Sequence, residues 1–320
     1  MEAKLNPYKR RLPVSAKAGR EDESYFARFR VLLLAALLAG CGSGGGGDTS
    51  PPTPITVVAA GDIAACGTLP ASQSKAAQTA ALVTAQDALV LTLGDNAYED
   101  GTLAEFTDCF HPTWGAFKDR IRPSPGNHDY HIEGADGYFT YFGSLAGPDR
   151  RGYYSFDAGG WHFISLNSQI DASTGSPQYA WLAADLENSR NALCTIAYWH
   201  YPVFSSGRNG SVVQMTKIFE ALHAAGVDIV LNGHDHTYER FAPQTSTGSL
   251  DPDRGIREFV VGTGGSPLYQ FVTIRANSEV RDNTSHGVLR LTLHTDRYEW
   301  AFMPVGGGPA RDPGEGACHR

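Results

Sequence analysis

Asp62, Asp95, Asn127, His200, His234 and His236 share a setting in this chain. They stand at the polar ends of short, largely apolar runs, in the stretches VVAAGDIA, LVLTLGDNAY, IRPSPGNHD, CTIAYWHYP and DIVLNGHDH. Tyr98 follows Asp95 three residues later on the same loop. Taken singly, each motif has an innocent reading. Aspartate after glycine is a common turn residue, and a histidine at a strand end is often a hydrogen-bonded structural group. Together they are carboxylate, amide, phenol and imidazole donors, the inventory of a two-metal site with one bridging carboxylate.

Donors scattered over 175 residues meet only if their loops converge. The intervening sequence supplies the means, because β-like runs alternate with helical patterns. ITVVAA, ALVLTL and RIRPSP read as extended, with SQSKAAQTAALVTAQD and LAEFTDCFHPTWGAFK as helices between them. YYSFDAGGWHFISLN reads as a hairpin about Gly159 and Gly160, SPQYAWLAADLENSR and SVVQMTKIFEALHAAG as helices, and ALCTIAYWH, VDIVLNG, REFVVGTGG and VLRLTLHTDRYEWAFMPV as further strand regions. The alternation predicts an α/β fold of βαβ units with a mostly parallel sheet, whose strand carboxyl ends bring successive loops to one edge. VVGTGG, 260–265, lacks the lysine and following helix of a phosphate-cradling loop and reads as a tight turn.

In this order GD, GD, GNH, a lone His and GHxH resemble the motifs of the calcineurin-like metallophosphoesterases, over most of the chain from Ile55 to about Arg240. The resemblance implies a four-layer α/β/β/α sandwich, two packed mixed sheets flanked by helices around a βαβαβ core, over residues 55–305, with 306–320 as a C-terminal tail. Most of that superfamily places a histidine two residues after the first aspartate, where this chain has Ala64. Tyr98 stands at the spacing of the GDxxY tyrosine of purple acid phosphatases, and GDNAYED and HYPVFSS resemble that subgroup.

The resemblance implies one ion held by Asp62, Asp95, Tyr98 and His236 and a second held by Asp95, Asn127, His200 and His234. Three anionic oxygens and one nitrogen suit ferric iron at the first; the less anionic second set suits divalent zinc, manganese or iron. The expected reaction is hydrolysis of small phosphate monoesters by metal-activated hydroxide, with His128 stabilising charge on the phosphoryl oxygens. Diesterase action on nucleotides or phospholipid headgroups, and a non-catalytic metal- or phosphate-binding lipoprotein, are the rivals. Animal purple acid phosphatases carry a histidine nine residues beyond the lone-His ligand, where this chain has Asn209 beside Arg208. This loop is expected to meet substrate, but an asparagine has no proton to give to a leaving group.

Composition bounds the rest. A chain of 320 residues, 42% hydrophobic, can bury a substantial core, and a formal net charge of -8 with no basic cluster beyond the first thirty residues disfavours a nucleic-acid surface. Arg28 and Arg30 precede VLLLAALLAG, too short for a membrane span of roughly 30 Å, and LAGC then resembles a bacterial lipobox. The expectation is a signal segment over 1–40, with a true start downstream of Met1, lipid attachment at Cys41, and a Gly/Ser/Pro tether over 41–54. It makes the protein an exported lipoprotein of the cell envelope, touching the membrane through its lipid alone. An oxidising compartment leaves three pairings open to Cys66, Cys109, Cys194 and Cys318, or free buried thiols; Cys66 and Cys109, each just downstream of a ligand loop, are the pair expected to approach.

Overall fold

The computed structural model describes residues 53–319. The expected signal segment, Cys41 and nearly all of the tether lie outside them. Among the described residues no helix is long and apolar enough to cross a membrane. The chain runs through β1 (Ile55–Ala60), β2 (Ala64–Ala65), α1 (Lys75–Thr84), β3 (Leu89–Leu93), β4 (Ala97–Tyr98), α2 (Leu103–Glu105), β5 (Ile121–Ser124) and α3 (Asp136–Phe142). It continues with β6 (Tyr154–Ala158), β7 (Trp161–Ser165), α4 (Pro177–Asn188), β8 (Thr195–Tyr198), α5 (Thr216–Ala224) and β9 (Ile229–Asn232). The remaining strands are β10 (Tyr238–Phe241), β11 (Arg257–Val261), β12 (Ser278–Asp282), β13 (Gly287–Leu293), β14 (Arg297–Pro304) and β15 (Arg311–Ala317).

The strands form a six-stranded sheet in the order β15-β14-β13-β1-β3-β5, a seven-stranded sheet in the order β12-β10-β11-β9-β8-β7-β6, and the small β2-β4 pair. Side chains alternate across a strand, so each sheet needs cover on both faces. In β8, Ile196 and Tyr198 face the first sheet in the main core, while Ala197 and the following Trp199 join a second core with Leu182 of α4 and Ile218, Phe219 and Leu222 of α5. On the far side α1 buries Ala76, Ala80 and Val83 against the first sheet. Four layers result, with α4 and α5 outside one sheet and α1 outside the other.

Three expectations need correction. The sheets are mixed, as the family resemblance implies and against the mostly parallel sheet that the alternation alone suggests: β1, β3 and β5 run parallel, as do β7, β8, β9 and β11, but β13, β14, β15, β6, β10 and β12 pair antiparallel. The single helix expected over 103–118 is broken. Thr102 caps α2 in a reciprocal capping box with Glu105, the next turn widens over Phe106–Phe110, and after Pro112 a separate 3-10 segment covers Trp114–Arg120. Residues 311–317 of the expected tail are β15, and Cys318 is bonded to Cys194 at a Cα separation of 5.4 Å. Cys66 and Cys109 pair as expected, at 5.5 Å.

His162 of β7 ties the second sheet to α4. Its Nδ1 lies 2.7 Å from Asp157 Oδ1 and its Nε2 3.0 Å from Asp185 Oδ2, which also accepts a bond from Ser155 through its other oxygen. Burial alone would lower the imidazole pKa, but the bonds and charges of Asp185 and Asp157 raise it above its ordinary value. A folded pKa above the unfolded one gives stability that is full below about pH 6.5 and is lost as pH rises through the folded value. Wild type is therefore expected to lose about 1 kcal/mol across neutral pH that His162→Gln does not lose. Urea unfolding of both at pH 5.5 and 8.5 checks this; parallel changes would refute it.

Candidate metal centre

β1, β3 and β5 end at Asp62, Asp95 and Asn127, while β8 and β9 end at His200 and the 233–236 turn. All five are parallel strands, so their carboxyl ends meet where the two sheets adjoin. Asp62, Asp95 and His234 adopt positive φ, of 60°, 49° and 72°. The chain turns sharply there and the side chains point back over the strand ends. The turns lock together through their backbones: Asp62 N donates to Gly94 O at 3.0 Å and Ile63 N to Asp95 O at 3.0 Å. Glycine is a steric requirement beside them, since a Cβ on Gly126 would stand 2.1 Å from Asp95 Oδ1 and one on Gly94 2.5 Å from the His200 ring.

The seven expected ligands come together in two overlapping groups. The Tyr98 hydroxyl lies 2.9 Å from Asp62 Oδ1, 3.1 Å from Asp95 Oδ2 and 3.2 Å from His236 Nε2, and His236 Nε2 is 3.2 Å from Asp62 Oδ1. In the other group His200 Nε2 lies 3.1 Å from Asp95 Oδ2 and 3.1 Å from Asn127 Oδ1, and the Asp95, His200 and His234 donor atoms lie within 4.8 Å of one another. Asp95 Oδ2 thus belongs to both groups, as a bridge requires.

The surroundings prepare these atoms for cations. His200 Nδ1 donates to Leu93 O at 2.8 Å and His236 Nδ1 to Pro267 O at 2.7 Å, so each aims its Nε2 inward, where Asp95 and Asp62 favour a proton that a bound cation would displace. Trp199, fully buried beside His200, braces that turn by donating from Nε1 to Tyr201 O at 2.6 Å. Burial, then the charge of His200, holds His234 down to about 3, leaving its ring neutral with a lone pair free. Burial would raise Asp62 and Asp95, but His236 beside the first and His200 beside the second keep both below the usual carboxylate range. Burial and the two carboxylates push the Tyr98 phenol well up. Two buried carboxylates and a phenol meet with no lysine or arginine paired to them among the described residues, only the imidazoles of His200 and His236, whose place opposite the carboxylates bound cations would take. The donor set fits two metal ions.

His128 places its backbone N 2.8 Å from Asp95 Oδ1 and its Nδ1 2.6 Å from Glu99 O, while its ring packs 4.3 Å from that of Tyr98. Its Nε2 is left 3.9 Å from Asp95 Oδ2, at the edge of the pocket. Arg208 and Asn209 are exposed at the opposite rim, where Asn209 Nδ2 donates to His234 O at 2.9 Å.

Further residues shape the site, and apart from Asp235, which its place between His234 and His236 marks as structural, they gave no signal in the sequence. Asp129 is buried and accepts from Gly126 N at 2.8 Å and Asn96 Nδ2 at 2.9 Å, pinning the GNHD turn to the GDN turn; burial, then the charge of Asp95, raises it to about 7. Asp235 points away from the histidines that flank it and accepts from Ser205 Oγ at 2.5 Å, Asn209 N at 2.7 Å and Gly210 N at 3.0 Å. Glu239 accepts from Ser206 N at 2.8 Å, and Glu258 from Val203 N at 3.1 Å and Phe204 N at 3.3 Å. Three buried acids therefore grip the backbone of the 203–210 loop. Tyr269 stacks on His236, with centroids 3.9 Å apart and planes 11° from parallel. Arg240 pairs with Asp312 of β15 at 2.8 Å.

Comparison with known proteins agrees with this geometry. Residues 50–238 match the calcineurin-like phosphoesterase family. Purple acid phosphatase 15 of Arabidopsis thaliana is 29% identical over 214 residues, covering 56% of this chain and 40% of its own. Purple acid phosphatase 18 of the same plant is 29% identical over 241 residues, covering 68% of this chain and 52% of its own. The chain thus spans about half the length of these curated relatives. Among solved structures, a purple acid phosphatase from yellow lupin seeds superposes with a TM-score of 0.66 at 20% identity, over 82% of this chain and 53% of that one. GAP50, the anchor in the inner membrane complex of Plasmodium, superposes with a TM-score of 0.65 at 14% identity, over 84% of this chain and 90% of that one. Both show the shared fold.

Proposed function

The chain belongs to the calcineurin-like phosphoesterase family, and on that premise we propose that its metal centre hydrolyses phosphate monoesters in the manner of a purple acid phosphatase. The observation that carries this is the Tyr98 hydroxyl at the meeting point of Asp62, Asp95 and His236. Asp62, Asp95, Tyr98 and His236 would hold ferric iron; Asp95, Asn127, His200 and His234 would hold a divalent zinc, manganese or iron. The bound ions supply Lewis acidity toward the phosphoryl group and lower the pKa of water. His128, oriented by its bond to Glu99 O, aims Nε2 at the pocket and, when protonated, donates to a phosphoryl oxygen. Asn209 spends its amide on His234 O, so the rim supplies no proton there to the departing group.

The test joins spectroscopy to turnover. The oxidised protein is expected to show a visible tyrosinate-to-ferric band that Tyr98→Phe abolishes, the phenylalanine filling the same buried space. The wild type is expected to favour 4-nitrophenyl phosphate over bis(4-nitrophenyl) phosphate by about 10²-fold or more in kcat/KM at acid pH. A colourless, fully active zinc protein would overturn the ferric assignment, and the reverse preference would establish the diesterase alternative.

A further inference from the structure

Arg208 and Arg275 are exposed and form no ion pair among the described residues, whereas Arg240, Arg257 and Arg311 are all paired. The Arg208 guanidinium lies 5.4 Å from the centroid of the Tyr269 ring, the ring that stacks on His236. One aromatic ring therefore separates this cation from a metal ligand. Arg275 comes from the facing 266–277 loop, and its Nη2 lies 3.9 Å from where a side chain on Gly210 would begin.

Both arginines sit on fixed backbone. Asp235 holds Ser205, Asn209 and Gly210. The facing loop is fastened to the same segment by Val272 N to Ser206 O at 2.9 Å, Arg275 N to Ser206 Oγ at 2.9 Å and Arg275 Nε to Ser205 O at 3.2 Å. Asp235, the nearest acid on the 233–236 turn, is buried with its oxygens already engaged, so it leaves the two cations unneutralised. Two guanidinium groups on a braced rim are suited to a phosphoryl group, which accepts their planar N–H forks bidentately.

We propose that Arg208 and Arg275 form a second anion subsite, one aromatic ring from the metal centre, and that the preferred substrates are monoesters carrying a second phosphoryl group a few bonds from the scissile one. This rests on the metal centre as the seat of the scissile phosphate, but its test needs no turnover. Propylphosphonate and propane-1,3-diphosphonate are titrated calorimetrically into the metal-loaded protein. The diphosphonate is expected to bind about tenfold tighter or more. In Arg208→Gln/Arg275→Gln the advantage is expected to fall to about twofold, the statistical benefit of two equivalent ends. Metal content and visible spectrum, unchanged in the variant, report an intact centre. A wild-type ratio near two, a ratio that survives both substitutions, or equal weakening of both ligands would each overturn the subsite. Absence of turnover with the ratio intact would count against hydrolysis and leave the subsite standing.

Discussion

Asp95→Asn is expected to lose both metal ions and turnover together while the fold survives. Asp95 Oδ2 is 3.1 Å from the Tyr98 hydroxyl and 3.1 Å from His200 Nε2, so one oxygen serves both donor groups, while Oδ1 accepts from His128 N at 2.8 Å. An asparagine keeps the volume but brings one acceptor where the site uses two. Its NH2 must point either at the His128 N–H, donor against donor, or into the space meant for cations. A buried donor left unmatched costs about 1–3 kcal/mol, and the neutral amide cannot offset two cations. Metal affinity should fall by more than about 10²-fold, since even residues that merely orient ligands account for 10–100-fold. Metal stoichiometry by elemental analysis, with circular dichroism as the control for folding, decides the matter. Two ions per chain retained in the variant would end the bridging assignment.

The second large effect concerns stability. Cys194 and Cys318 are 124 residues apart in sequence, so their bond removes about 5 kcal/mol of loop entropy from the unfolded chain, against about 4 kcal/mol for Cys66–Cys109 at a separation of 43. The bridge lies at the amino end of β8, and the metal ligands follow its carboxyl end. Beside it Asp228 accepts from Thr195 N at 2.7 Å and from His319 N, and Cys318 N donates to Asp296 O at 2.9 Å, so the last residues are bound at several points. Cys194→Ser/Cys318→Ser should therefore lower unfolding stability by several kcal/mol in urea while leaving the metal-to-protein ratio intact. A loss below about 1 kcal/mol would mean that the unfolded chain is already constrained.

Six of the seven proposed metal ligands were legible because their loops end apolar runs with polar clusters that coincide with parallel strand ends, and Tyr98 through its spacing from Asp95. What escaped did so for physical reasons. GGGPARDPGEGACHR has the glycine and proline content of a tether, yet a Cβ on Gly314 or Gly316 would stand 2.2 Å from Trp300 or 2.5 Å from Tyr298. Those glycines let β15 lie flat on aromatic rings of β14, so they record close packing where composition suggests flexibility. The 103–118 segment has helical periodicity throughout, and Pro112 and the widened turn before it divide it. Asp129, Glu239 and Glu258 are acids with no local mark distinguishing them from exposed ones. Their partners are backbone N–H groups that become neighbours only in the folded chain, as Tyr269 becomes a neighbour of His236.

The grip on the 203–210 loop has a consequence for how this enzyme could change. Five of the bonds that Asp235, Glu239 and Glu258 accept come from main-chain N–H groups, those of Val203, Phe204, Ser206, Asn209 and Gly210, which nineteen of the twenty amino acids would supply equally. The side chains of Ser205, Ser206 and Asn209, and Gly207, whose Cβ would meet Asp235 at 2.4 Å, tie the loop to particular residue types. Position 208 can therefore be rewritten freely while the chain path holds. It is an exchangeable place on a fixed loop, and a library at that position should alter substrate choice with the metal centre untouched.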